Sequence, residues 1–386
     1  MKKNFLFVMA AAAMLASCSK DAAVSEPAGN GNENGVVDPT DPNSPVKIVL
    51  GASNVDASVE VDKKASRAPI TTWNATEVGI FALAKNATYN GWQQDDGSIL
   101  LENVKGTIQS GTGSQVIEIG DHYYPSSNEN FYTFCGYYPY ADALPVIDTE
   151  TSVITTTYTI NGSQDIMWGQ AAVTTPLNNT DGEGTLDGYN ALYMRKGESA
   201  AAPDIKFDHL LTQLNFNIKK AGDFQLVDGK QLKVTKIQVN TYNSLDLTIA
   251  DKATIGSDVT DKTTVIKPTA DAQEAYIPVI KNDAGDAADA VVVDDITGSQ
   301  VFGTSMMLYT AGDTQTSYTI KVTLQLGNDT ENESAPIDIT LTGDAAFKPS
   351  NAYNVNITVN GVTEITVNAT LGEWVTAGES ADIEIN

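Results

Sequence analysis

Tyr318-Thr319-Ile320-Lys321-Val322-Thr323-Leu324-Gln325-Leu326 puts an apolar side chain at every even position and a polar one at every odd position. A period of two belongs to a β-strand with one face on a core and the other in water. The same texture spreads in both directions. Downstream it recurs at Ile337 to Leu341, Val355 to Val359 and Ile365 to Leu371. Upstream it recurs at Leu232 to Val239, Leu210 to Ile218, Ile154 to Ile160, Val116 to Ile119 and Val78 to Ala84. Val, Ile, Thr and Tyr dominate these runs, and Gly, Asn and Asp fill the gaps between them. Near the start, Val46, Ile48 and Leu50 alternate, Gly51-Ala52-Ser53-Asn54 reads as a turn, and Val55, Ala57, Val59 and Val61 alternate again. Long stretches at helical period are missing, and the Ala-rich segment Asp283 to Ala290 carries Gly and Asp and reads as a loop. The pattern predicts an all-β chain of antiparallel sheets packed face to face as β-sandwiches. The loop from Leu192 to Pro203 divides it into two domains, 46–200 and 201–386.

The first 45 residues have another character. Met1-Lys2-Lys3 is followed by an apolar run from Phe5 to Leu15, shorter than the ~20 residues a membrane-spanning helix needs. It has the proportions of a signal peptide. Leu15-Ala16-Ser17-Cys18 then has the form of a lipobox, predicting a signal over 1–17 and lipid attachment at the Cys18 thiol. Acyl chains on Cys18, at about 0.8 kcal/mol per buried methylene, would hold the mature chain on a membrane. Residues 18–45 are rich in Gly, Asn, Pro, Asp and Glu with no apolar period, and read as a tether.

Charge and chemistry narrow the function classes. The chain carries 23 Lys and Arg against 49 Asp and Glu; removing Lys2 and Lys3 leaves 21 against 49, a net charge of −28. That argues against nucleic acid and against electrostatic attraction to anionic lipid. With Cys18 lipidated, Cys135 is the remaining cysteine, so the mature chain has no internal disulfide; its aromatic setting makes it a small core residue. The two histidines, His122 and His209, lie beside aromatic and apolar neighbours and read as packed or capped side chains rather than catalytic bases. Gly111-Thr112-Gly113 lacks the strand-to-helix setting of a phosphate loop, and the acids from Asp181 to Asp187 match no EF-hand. No catalytic residue, metal or cofactor is expected.

Several segments resemble one family. Arg67-Ala68-Pro69 with Trp73 and Val78-Gly79-Ile80-Phe81-Ala82 looks like the mature start of Bacteroidales fimbrillins. Asp165-Ile166-Met167-Trp168-Gly169, Phe207 to Phe216, and Phe347-Lys348-Pro349-Ser350-Asn351-Ala352-Tyr353 resemble further motifs of these proteins in the same order, as does Trp374 before a short terminal strand. The resemblance implies two transthyretin-like β-sandwich domains and assembly with other subunits into type V pili that serve adhesion. It implies travel to the outer membrane as a lipoprotein, then display on the cell surface. An Arg-specific protease would remove the N-terminal segment, and a neighbour's strand would enter the groove left behind. Little chain follows Trp374, unlike the stalk subunits of that family, so stalk, tip and anchor positions all stand.

Three features of the residues themselves bear on that mechanism. Arg67 and Arg195 are the only arginines, so a cut between Arg67 and Ala68 would release the anchor together with a removable segment over 46–67. Val55, Ala57, Val59 and Val61 have the one-sided spacing of a removable strand. Ile365 to Leu371 reads as a permanent strand, whereas Ile383 and Ile385 read equally as a permanent strand or as the donor to a neighbour. Arg195 is either a second cleavage site or the mark of an exposed loop between domains. The rival function is a non-polymerising surface lipoprotein that captures glycans through Trp73, Trp92, Trp168 and Tyr137-Tyr138.

Overall fold

The computed structural model describes residues 44–54 and 72–372, apart from 86–90, 94–95, 128, 142, 175, 179–184, 196–201, 223, 225–228, 283, 328–332, 344 and 362–364. All of these belong to one compact unit, Pro39–Asn386. The chain is all-β, built of several sheets, and its α-helix among the described residues is a single turn, α1 at Ala191–Arg195. None of the described helices is long and apolar enough to cross a membrane.

Seven strands close into a barrel: β1 Leu50–Asn54, β2 Thr76–Ala84, β3 Ile99–Ile108, β4 Gln115–Glu118, β5 Tyr132–Tyr138, β6 Met167–Ala171 and β7 Asp204–His209. Around the barrel the order is β1-β7-β6-β5-β2-β3-β4, with β4 returning to β1. The rest of the chain adds β8 Thr212–Lys220, β9 Leu232–Tyr242, β10 Ser244–Asp251, β11 Ser317–Leu326, β12 Ile337–Thr342, β13 Ala352–Val359 and β14 Ile365–Gly372. One sheet runs Ser299–Val301, β8, β13, β14, and another Glu274–Pro278, β9, β11, β12. A third joins Ile266–Pro268 and β10 to the hairpin of Val153–Thr159 and Val146–Asp148. The alternating run Tyr318 to Leu326 lies in β11, with Tyr318, Ile320, Val322 and Leu324 buried.

Face-to-face antiparallel packing describes most of the molecule, with two differences. β1 pairs with β7 in parallel, and so does β8 with β13. Parallel neighbours require a long connection between them, and about 150 and 130 residues supply it here.

The central barrel strands also depart from the expected division into one apolar and one polar face. In β2, Phe81 and Leu83 point into a large core shared with β8 to β14, while Val78, Ile80, Ala82 and Ala84 point into the barrel. β5 does the same, with Cys135 and Tyr137 on one side and Tyr132 and Phe134 on the other. These strands form a wall between two cores. A strand buried on both faces reads as a continuous apolar run, which is what Val78 to Ala84 is.

Cys135 is fully buried in that wall, and burial pushes its thiol up to about 12. At pH 8 roughly one molecule in 10⁴ would carry the reactive thiolate. Cys135 in the native protein should therefore resist a thiol-specific alkylating reagent for hours at pH 8 and react within minutes in denaturant, read as modification of the Cys135 peptide by mass spectrometry.

Candidate functional site

The Gly51–Asn54 turn of the sequence reading is replaced in the structure by β1. Its Cα register runs Gly51 to Asp204, Ala52 to Ile205, Ser53 to Lys206 and Asn54 to Phe207 on one side. On the other side Leu50 faces Ile117, Gly51 faces Val116 and Ala52 faces Gln115. Turn propensity is a local preference, and here it loses to pairing on both edges and to the burial of Ala52. The residues before β1 are tied to the loop after β4: Ile48 N–H donates to the His122 carbonyl at 2.8 Å, and Tyr124 N–H to the Val46 carbonyl at 2.9 Å. Gly51 N–H donates to the Pro203 carbonyl at 2.8 Å.

Residues 44–54 thus form a strap laid into the seam between β4 and β7. Its inward face carries Ile48, Leu50 and Ala52, all at most 2 % exposed, and its outward Val49 is 51 % exposed. Burying Ile48 and Leu50 contributes about 1.5–3 kcal/mol each. Three polar contacts edge the seat. Ser53 Oγ donates to Asp204 Oδ2 at 2.7 Å, Lys47 pairs with Asp121 at 2.7 Å, and the Arg195 guanidinium donates to the Ser44 carbonyl at 2.6 Å. The Lys47–Asp121 pair is well exposed and adds little in water. Arg195 is half-buried on α1, which corrects its reading as an exposed loop residue.

The seam has a fixed polarity. β1 runs antiparallel to β4 and parallel to β7, so β4 and β7 run in opposite directions. Any strand occupying the slot, in either orientation, makes one parallel and one antiparallel ladder. After Asn54 the body resumes at Thr72–Trp73, where the buried Trp73 ring meets Phe207 edge-on, with centroids 5.7 Å apart. The covalent link between strap and body is therefore 55–71. Val55, Ala57, Val59, Val61, Arg67 and Ala68 all fall in it, outside the described residues. Cys18, Ile383 and Ile385 also lie outside them.

Three of the sequence motifs meet elsewhere, at the joint between the barrel and the remaining sheets. Asp165 and His209 pair at 2.5 Å, Leu210 N–H donates to the Ile166 carbonyl, and Ser350 Oγ donates to the His209 carbonyl at 2.6 Å. Trp168 Nε1 donates to the Ile249 carbonyl at 2.8 Å, and Lys262 pairs with Asp208 at 2.6 Å, its Nζ 5.4 Å from the Trp168 ring. His209 is thus a packed, paired side chain, as its neighbours in sequence predicted. His122 contributes its backbone carbonyl to the strap. Among the described residues no group of His, Cys, Asp and Glu could hold a metal ion.

The aromatic faces offered for glycan capture are not at the surface. Trp73, Trp92, Trp168 and Tyr137 are at most 4 % exposed, because each fills one of the two cores. Tyr138 packs partly buried against the barrel core. Ile365 to Leu371 forms β14, paired with β13 along eight residues. What sequence reasoning missed is the strap itself, whose partner strand β7 lies about 150 residues away in the chain.

The fold and its seam define a class: an all-β protein whose barrel is completed by an N-terminal strand contributed from beyond a peptide linker. The chain belongs to the fimbrillin-like family, which matches residues 66–374. No curated protein matches it. Among solved structures it is similar to a candidate cell adhesion protein of Bacteroides uniformis, at 16 % identity over 85 % of this chain and 98 % of that one, TM-score 0.44. A candidate cell adhesion protein of Bacteroides ovatus also has 16 % identity, over 86 % and 98 %, TM-score 0.44. A fimbrial assembly protein of Parabacteroides distasonis has 11 % identity over 85 % and 98 %, TM-score 0.38.

Proposed function

We infer that the chain is the precursor of a cell-surface pilus subunit that assembles by strand exchange, with residues 44–54 as the strand that is exchanged. One observation carries the reading. The family match begins at Ser66 and so takes in six of the seven barrel strands while leaving β1 outside. A body that lacks β1 has a groove lined by barrel core residues and unpaired backbone groups along β4 and β7, which an incoming strand satisfies. A cut between Arg67 and Ala68 leaves the strap held by non-covalent contacts alone. A neighbour's strand then competes for the slot on equal terms, and head-to-tail repetition gives a filament.

The protein is exported as a lipoprotein acylated at Cys18, reaches the outer membrane and is released into the fimbrium by an Arg-specific protease. Ile383 and Ile385 supply the alternate apolar positions of the donor. Its partners are other pilus subunits, and its task is structural and adhesive rather than enzymatic. The glycan-capture alternative loses its aromatic surface to the cores described above.

The test is assembly in vitro. Purified precursor is incubated with an Arg-specific protease, and SDS-resistant ladders are followed. The parent should form them, whereas Arg67→Ala should stay a folded monomer. Ladders from Arg67→Ala as abundant as from the parent would remove processing at Arg67 from the mechanism.

A further inference from the structure

We propose that Arg195 is a clasp that keeps the N-terminal strap in its seat. The inference rests on the reading of residues 44–54 as a detachable strand, and it adds the residue that sets how firmly that strand is held.

The clasp has a fixed end and a loose end. The fixed end is α1. Asn190 Oδ1 accepts from Tyr193 N–H at 2.8 Å at the start of the turn, and Tyr193 is buried against Tyr189, ring centroids 5.4 Å apart. Tyr189 exchanges two backbone hydrogen bonds of 2.9 Å with Tyr132, the first residue of β5. The helix is therefore pinned to the wall of the barrel, and Arg195, in its last turn, is pinned with it. The loose end is the Ser44 carbonyl, six residues before β1, which accepts from Arg195 Nη2 at 2.6 Å. A guanidinium donating to a carbonyl makes a charge-assisted bond, stronger than a neutral one. It acts at the N-terminal edge of the described strap, beyond the pairing of β1 with β4 and β7.

The clasp is also built to open. Arg195 Nε is buried without a hydrogen-bond partner, a cost that disappears once the side chain swings into water. Part of the strength of the Ser44 bond is thus offset in the seated state. The sequence offers Arg195 as one of only two arginines, and an arginine-specific protease must draw the guanidinium into its own pocket. While the guanidinium is engaged with Ser44 it is withheld from that pocket, so seating of the strap also shields Arg195.

Hydrogen–deuterium exchange on the full chain tests the clasp without any assembly step. In Arg195→Ala, peptides spanning 44–54 should exchange roughly tenfold faster than in the parent, the scale of one lost charge-assisted bond. Arg195→Lys, which keeps a cationic donor, should recover most of the protection, and peptides of β9 and β11 should not change. Unchanged protection of 44–54 in Arg195→Ala would overturn the proposal. So would equal acceleration in the strap and across β2 and β5, which would make Arg195 a general support of the barrel. A strap that loosens as expected in a protein that never forms ladders would leave the clasp standing and count against strand exchange.

Discussion

Gly169→Ala should cost at least about 3 kcal/mol, a large fraction of the roughly 5–15 kcal/mol that typically holds a domain folded. Gly169 lies on β6 between β5 and β7, opposite Gly136 of β5 and next to the last pair that β6 makes with β7. A Cβ built there would sit 2.0 Å from the Lys206 carbonyl oxygen and 2.6 Å from its carbon. Both are backbone atoms of β7, so no rotamer change relieves the overlap; β6 and β7 must separate. Separation would break the ladder of Met167 with His209 and Trp168 with Asp208 and pull at the Asp165–His209 pair. Gly79 is a useful contrast. The three nearest atoms to a Cβ there all belong to the Tyr137 side chain, the closest at 2.1 Å, and a side chain can turn where a backbone cannot, at the cost of its hydrogen bond to Asn103. Gly79→Ala should therefore cost less than Gly169→Ala. Urea unfolding followed by tryptophan fluorescence checks both, and a Gly169→Ala protein within about 1 kcal/mol of the parent would show that the two strands can yield.

The glycine closing Asp165-Ile166-Met167-Trp168-Gly169 illustrates what was legible in the sequence. That the segment was a motif could be read from it; that its last residue admits a foreign backbone at contact distance could not, because Lys206 is far away in the chain. The same holds for Asp165, His209 and Ser350. Each belongs to a motif visible in the sequence, and their convergence is a property of the topology. Strands with one strictly apolar face, such as Tyr318 to Leu326, are readable because their period is local, although Thr323 and Gln325 on the polar face are buried as well. Gly51-Ala52-Ser53-Asn54 was misread because its local signal is that of a turn, while the forces that make it a strand come from β4 and β7. A small hint was present: Ile48, Leu50 and Ala52 keep the period of two through the apparent turn. The continuous apolar run from Val78 to Ala84 was likewise a visible sign of a strand buried on both faces.

Leu50→Asp should expel the strap while the rest of the protein stays folded. Leu50 is 1 % exposed inside the barrel core, and a carboxylate there would meet Ile117 and its apolar neighbours across the ladder rather than a cation. An unpaired buried charge costs several kcal/mol, in addition to the lost leucine packing. The strap has a cheaper way out than global unfolding. Its edge contacts are confined to β4, β7, the loop after β4 and α1 among the described residues, so it can leave the seam as a local unit. Its departure bares the backbone edges of β4 and β7 together with the core they enclose, and such edges recruit strands from other molecules. Leu50→Asp should accordingly form oligomers without any protease, seen as high-mass species by light scattering after size exclusion. Peptides over 44–54 should exchange at nearly the rate of unstructured chain. Val49→Asp is the matched control: Val49 is 51 % exposed on the outward face of the same segment, and a carboxylate there should leave the strap seated and the protein monomeric. The pair separates a requirement for apolar side chains in the slot from a general intolerance of charge near the seam. A monomeric Leu50→Asp protein with a protected strap would mean that the slot accepts charge from its inward face. The seam would then lack the selectivity that exchange by an alternating apolar donor requires.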